Sequence, residues 1–115
     1  MNVKIYHNPR CSKSRDALKL LEAQGIQAEI VEYLKTPPSI EELTDIIQKL
    51  GIKPRGLMRT NEPEYKENIL DDVDLSDAEL IAAMHNMPRL IERPIVLANG
   101  KAAIGRPAEN VLAIL

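Results

Sequence analysis

Apolar residues recur along this chain with two different periods, and the points where the period changes divide it into elements. Met1-Asn2-Val3-Lys4-Ile5, with Tyr6, opens as a strand, and His7-Asn8-Pro9-Arg10 interrupts the run with two turn-favouring residues. From Ser12 the spacing becomes helical: Ala17, Leu18, Leu20 and Leu21 gather on one face as far as Gly25, a suitable C-terminal cap. This predicts a helix from about residue 12 to about residue 24. Ala28, Ile30, Val31 and Tyr33 form a short apolar run ahead of Thr36-Pro37-Pro38, which reads as a second, buried strand. Ser39 with Glu42 is a capping-box pair, after which Leu43, Ile46, Ile47 and Leu50 keep helical spacing until Gly51.

Residues 53 to 70 carry Pro54, Gly56, Asn61 and Pro63 among Leu57, Met58, Tyr65, Ile69 and Leu70, which predicts short helical turns rather than one long element. Ser76 with Glu79 repeats the capping box, and Leu80, Ile81 and Met84 supply the stripe of a helix over about 77 to 86, ended by Pro88. Ile95-Val96-Leu97 and Ala102-Ala103-Ile104 flank Asn99-Gly100, a pair that supplies the positive φ angles of a type I′ hairpin turn. Gly105 ends the second strand, and Pro107 suits the first position of a last helix whose Val111, Leu112 and Leu115 would pack on the sheet. A leading βαβ, a trailing ββα and a helical insert between them resemble a thioredoxin-like, or glutaredoxin-like, α/β fold: a mixed sheet with one antiparallel pair.

At 115 residues the chain is expected to build one hydrophobic core and a single domain over 1–115. With 44% hydrophobic and 28% charged residues it has globular proportions, and no apolar run approaches the roughly 20 residues of a membrane helix. The first residues lack the basic and apolar segments of a secretion signal, so a cytoplasmic location is expected. Lys and Arg total 15 against 17 Asp and Glu, a net charge of -2 that argues against nucleic acid as a partner. A single cysteine, Cys11, excludes an intrachain disulfide framework, and the isolated His7 and His85 make a poor metal site. With no Trp or Phe, the core must be aliphatic. The stretch from Glu62 to Glu79 holds many acidic residues against the single base Lys66 and reads as a solvated insert, whereas Arg10, Lys13 and Arg15 crowd around Cys11.

Cys11 follows a strand and a turn and directly precedes a helix, which sets its sulfur beside unpaired N–H groups and the positive end of the helix dipole. Raising the thiolate fraction at pH 7 from about 3% to about 75% takes about 2.7 kcal/mol. A helix terminus supplies at most about 2 kcal/mol. A nearby cation is therefore expected as well, with Arg15 or an arginine from later in the chain as candidates. The same N–H groups would bind an oxyanion. Cys11-Ser12-Lys13-Ser14 has the C-x-x-C frame with serine in the second position, so an external thiol must resolve any adduct. Three residues between Cys11 and Arg15 do not match the C-x5-R cradle of cysteine phosphatases.

Tyr6-His7-Asn8-Pro9-x-Cys11-x-x-Ser14-Arg15 resembles the nucleophile loop of the ArsC family of glutaredoxin-dependent arsenate reductases. Tyr33-Leu34-x-Thr36-Pro37-Pro38, Leu57-Met58-Arg59, Arg93-Pro94-Ile95-Val96 and Arg106-Pro107 match further family segments in order. The resemblance implies that Cys11 attacks arsenate, that Arg59, Arg93 and Arg106 hold the oxyanion, and that Pro94 follows a cis peptide bond. It also implies glutathione as co-substrate, glutaredoxin as the resolving partner, and no bound cofactor or metal. Beside it, His7 is a candidate for orienting the thiol or a residue that hydrogen-bonds the loop, and Ser14 for bonding the sulfur or capping the helix. Two alternatives stay open. One is an Spx-like regulatory binding module, although such regulators sense oxidants through a cysteine pair; the other is an ArsC-like thiol oxidoreductase with a different acceptor.

Overall fold

The computed structural model describes residues 2–115; Met1, where the expected first strand begins, lies outside the described residues. Those residues gather into two compact units, one formed by the chain up to Thr36 together with Arg93–Leu115 and the other by Pro37–Glu92.

In the first unit, strands β1 (Lys4–His7), β2 (Glu29–Glu32), β3 (Ile95–Ala98) and β4 (Lys101–Ile104) make one sheet in the order β2-β1-β3-β4. β1 runs parallel to β2 and antiparallel to β3, and β3 pairs antiparallel with β4, so the sheet has two antiparallel pairs where one was expected. The extra pair arises because the hairpin docks β3 directly against β1. Helix α1 (Ser12–Ala23) provides the βαβ crossover, and Gly25, at φ 73°, closes it as the sequence suggested: its N–H bonds Glu22 O at 2.9 Å while Ile26 N–H bonds Leu21 O at 3.0 Å. Asn99 and Gly100, at φ 54° and 73°, make the hairpin turn. Val3, Ile5, Val96, Ala98 and Ala103 of the sheet region pack with Ala17 and Leu21 of α1 and with Val111 and Ile114 near the C-terminus.

Two expectations need correction here. β2 is an edge strand with Ile30 half exposed, not a buried one, because the crossover places it outside β1 and leaves it a partner on one side only. The last helix is a 3₁₀ segment, Ala108–Ile114, and Pro107 stands before it in extended conformation (φ -71°, ψ 166°) rather than inside its first turn.

Gly105 follows β4 where the backbone has no room for a side chain. A Cβ there would lie 2.9 Å from Pro94 Cγ, 3.2 Å from Ala17 Cβ and 3.4 Å from Val111 Cγ1, and the proline ring cannot rotate aside. Gly105→Ala is expected to destabilise the protein by about 1–3 kcal/mol through overpacking. The check is urea denaturation, with a lowered midpoint at unchanged slope as the expected result and a wild-type midpoint as the contrary one.

The second unit contains α2 (Ile40–Leu50), α3 (Pro63–Glu67) and α4 (Asp77–Asn86), with 3₁₀ turns at Pro54–Leu57 and Pro88–Leu90. Both predicted capping boxes form: Glu42 N–H donates to Ser39 Oγ at 3.1 Å, and Glu79 N–H to Ser76 Oγ at 3.1 Å. Leu43, Ile46 and Ile47 of α2 and Leu80, Ile81 and Met84 of α4 are buried, and the two helices pack together. An isolated antiparallel bridge joins Met58 to Ile91. In chain order this unit is a helical insertion between β2 and β3 of a thioredoxin-like mixed sheet. Among the described residues no helix is long and apolar enough to cross a membrane.

Candidate active site

The chain turns from β1 into α1 within residues 8–11, and nearly every backbone polar group of that turn is engaged. Asn8 O accepts the Cys11 N–H at 3.0 Å, and Asn8 Oδ1 accepts the Arg10 N–H at 3.0 Å, the arrangement by which asparagine stabilises a turn. Ser14 is fully buried, and its Oγ accepts the Asn8 N–H at 3.0 Å while lying 2.6 Å from His7 Nδ1. Burial lowers the His7 pKa below its usual value, helped by the Arg15 charge and opposed by Glu32, so the ring is neutral near pH 7. Ser14 thus ties β1 to the turn and does not cap the helix.

Cys11 itself occupies the N-cap position of α1 in extended conformation (φ -92°, ψ 122°), its carbonyl accepting the Arg15 N–H at 3.0 Å. Its sulfur stands at the mouth of the first turn, where the backbone N–H groups of α1 are open. Burial pushes the thiol pKa up. The Ser14 N–H, the hydrogen bond and charge of the Arg93 guanidinium, and the Lys13 N–H together outweigh that effect and hold the thiol below its ordinary range. The cation that the energetics required is therefore Arg93. Arg15, the other candidate, instead donates from Nη1 to Pro9 O at 2.9 Å.

Sheet register explains why Arg93 reaches this place. Tyr6 of β1 pairs with Ile95 of β3, and Ile95 pairs with Ile104 of β4, so the chain just after β1, just before β3 and just after β4 meets at one end of the sheet. That end carries Cys11, Arg93 and Arg106. Arg106 Nη1 donates to Arg93 O at 3.3 Å, and Gly105 N–H to Pro94 O at 2.9 Å. The Arg93–Pro94 peptide is cis, as the resemblance implied, and the Arg106–Pro107 peptide is cis as well.

Arg59 belongs to the second unit. Its N–H donates to Leu90 O at 2.7 Å beside the Met58–Ile91 bridge, and its Nη1 pairs with Glu62 Oε1 at 3.0 Å. The other carboxylate oxygen of Glu62 meets Arg89 at 3.2 Å, and Arg55 donates to Tyr65 Oη, Leu70 O and Asp72 O. The acidic stretch is thus partly tied down by arginines distant in sequence and is not a uniformly solvated insert. His85 is half-buried and bonds Pro38 O through Nδ1 at 2.8 Å, a structural tether within that unit.

The sequence profile of the ArsC family matches residues 6–114. The chain belongs to the ArsC family. An arsenate reductase from Neisseria meningitidis serogroup A is 58% identical over 114 residues, which span 98% of this chain and 97% of the relative. Protein YfgD of Escherichia coli K12, described as uncharacterized, is 55% identical over 98% of this chain and 96% of its own. The solved structure of an arsenate reductase from Vibrio cholerae, 56% identical, superposes with a TM-score of 0.98 over 100% of this chain and 98% of that one. In this ArsC-family chain, sequence reasoning missed the Ser14 Oγ link to His7 and Asn8, because Ser14 read equally well as a cap. Nothing in the sequence singled out the second cis bond.

Proposed function

We propose that this chain is a cytoplasmic arsenate reductase, one ArsC-like domain over residues 1–115, whose nucleophile is Cys11. The Cys11 thiolate attacks arsenic, a sulfur–arsenic bond forms, and one arsenate oxygen leaves as water after taking up protons. Arg93 and Arg106 offset the negative charge that gathers on the oxyanion and the sulfur, and guanidinium forks suit its paired oxygens. Arg59 is proposed as a third holder of the anion on its motif alone. Glutathione then attacks the adduct. Arsenic(V) gains two electrons and leaves as arsenite, and the two thiols that supply them end as a mixed disulfide, which glutaredoxin reduces. His7 and Ser14 are assigned to holding the loop rather than to the chemistry.

The observation that carries this reading is the convergence of two backbone N–H groups and one guanidinium on the only sulfur nucleophile in the chain. A thiolate so placed is activated, and the donors that stabilise it are those an oxyanion needs. The test is arsenate-dependent NADPH oxidation with glutathione, glutaredoxin and glutathione reductase supplied. Turnover that requires arsenate, glutathione and glutaredoxin together is expected. Absence of turnover from a protein whose Cys11 still reacts with alkylating agents would redirect the search to another oxidised acceptor.

A further inference from the structure

Arg15 is left without a role by the reading above, although it stands one residue after Ser14 in the first turn of α1. Its guanidinium donates to Pro9 O at 2.9 Å, and its own N–H closes on Cys11 O at 3.0 Å. Ser14 holds the same loop from the buried side, through Asn8 N–H and His7 Nδ1. The two consecutive helix residues therefore grip the turn from opposite sides, one at residues 7 and 8 and the other at residues 9 and 11. Pro9 cannot donate a backbone hydrogen bond, so its carbonyl offers a handle by which the middle of the turn can be held.

We propose that Arg15 is a positioning residue for the nucleophile: by holding the Pro9 carbonyl it fixes the turn that presents the Cys11 sulfur to Arg93 and to the Lys13 and Ser14 N–H groups. It touches neither the sulfur nor the anion. The groups acting on Cys11 are Arg93 and those two N–H groups, so a loosened turn acts on the thiol only by drawing it away from them. Displacements of about 1 Å in such settings cost on the order of 10²-fold in rate, and a hydrogen bond on an exposed loop holds a part of that.

This inference deepens the reductase reading, and its test has a readout that needs no arsenate. Arg15→Gln is expected to move the midpoint of Cys11 alkylation to higher pH and to lower kcat by about 5- to 10-fold, with the arsenate KM within about 2-fold of wild type. Arg15→Lys, whose charged donor reaches farther toward the carbonyl than the shorter Gln amide, is expected to fall between wild type and Arg15→Gln on the alkylation midpoint. A wild-type midpoint in Arg15→Gln overturns the proposal, as does an Arg15→Lys midpoint displaced as far as that of Arg15→Gln. A raised KM with unchanged kcat would make Arg15 an anion ligand and also overturns it. If the wild type reduces no arsenate, the substrate assignment fails while the alkylation midpoints still decide the role of Arg15.

Discussion

Cys11→Ser is expected to lose arsenate-dependent turnover by at least about 10³-fold while folding at least as stably as the wild type. A serine hydroxyl in the same place would receive the same N–H groups and the same guanidinium, yet those donors favour a thiolate from a group that already ionises near neutral pH. They cannot deliver an alkoxide there. Stability should move the other way, because Cys11 sits at the N-cap of α1, where sulfur is a weak acceptor and serine is among the preferred residues. The gain expected from exchanging a weak sulfur acceptor for a hydroxyl is at most about 1 kcal/mol, read as a thermal midpoint equal to or above that of the wild type. Loss of activity in a protein of undiminished stability separates chemistry from folding. A variant that keeps more than about a tenth of the wild-type rate would remove Cys11 from the mechanism.

Arg93→Ala is expected to cost on the order of 10²-fold in turnover and to shift the thiol. Arg93 is both the hydrogen-bond donor and the cation acting on the Cys11 sulfur, so its removal leaves burial opposed only by the Ser14 and Lys13 N–H groups. The sign follows. Arg93 favours the charged form of the thiol, and without it the thiolate forms at higher pH, so at pH 7 a smaller fraction of the enzyme carries the nucleophile. In the wild type, activity limited by that thiolate persists below the ordinary thiol range and falls only as pH drops through the lowered value. The measurement is the pH dependence of kcat/KM for both proteins, with the acid limb displaced to higher pH in the variant. An undisplaced limb would show that the guanidinium does not act on the sulfur.

Local signals in the sequence were sufficient for most elements and for part of the site. The capping boxes at Ser39 and Ser76, Gly25 and Gly51 as terminators, and the Asn99-Gly100 turn each encode their structure within a few residues. What depended on strand order was not legible in the same way. The apolar run containing Ile30 and Val31 could not reveal that β2 lies at the sheet edge, since exposure there is set by which strands pair and not by the run itself. The place of Cys11 at the N-terminus of α1 followed from the strand-turn-helix context. Its cation was ambiguous, because Arg15 is near in sequence and Arg93 is brought near only by the register of β1 with β3. The pairing of Glu62 with Arg89 likewise joins residues that no short motif connects.

The most direct measurement is the rate of Cys11 alkylation by iodoacetamide between about pH 5 and about pH 9, with and without arsenate. Reaction that stays fast well below the ordinary thiol range, and that arsenate suppresses in a saturable way, is the expected result. It would place an activated sulfur and the oxyanion at one site. A midpoint in the ordinary thiol range together with indifference to arsenate would contradict both the activation of Cys11 and the assignment of its substrate.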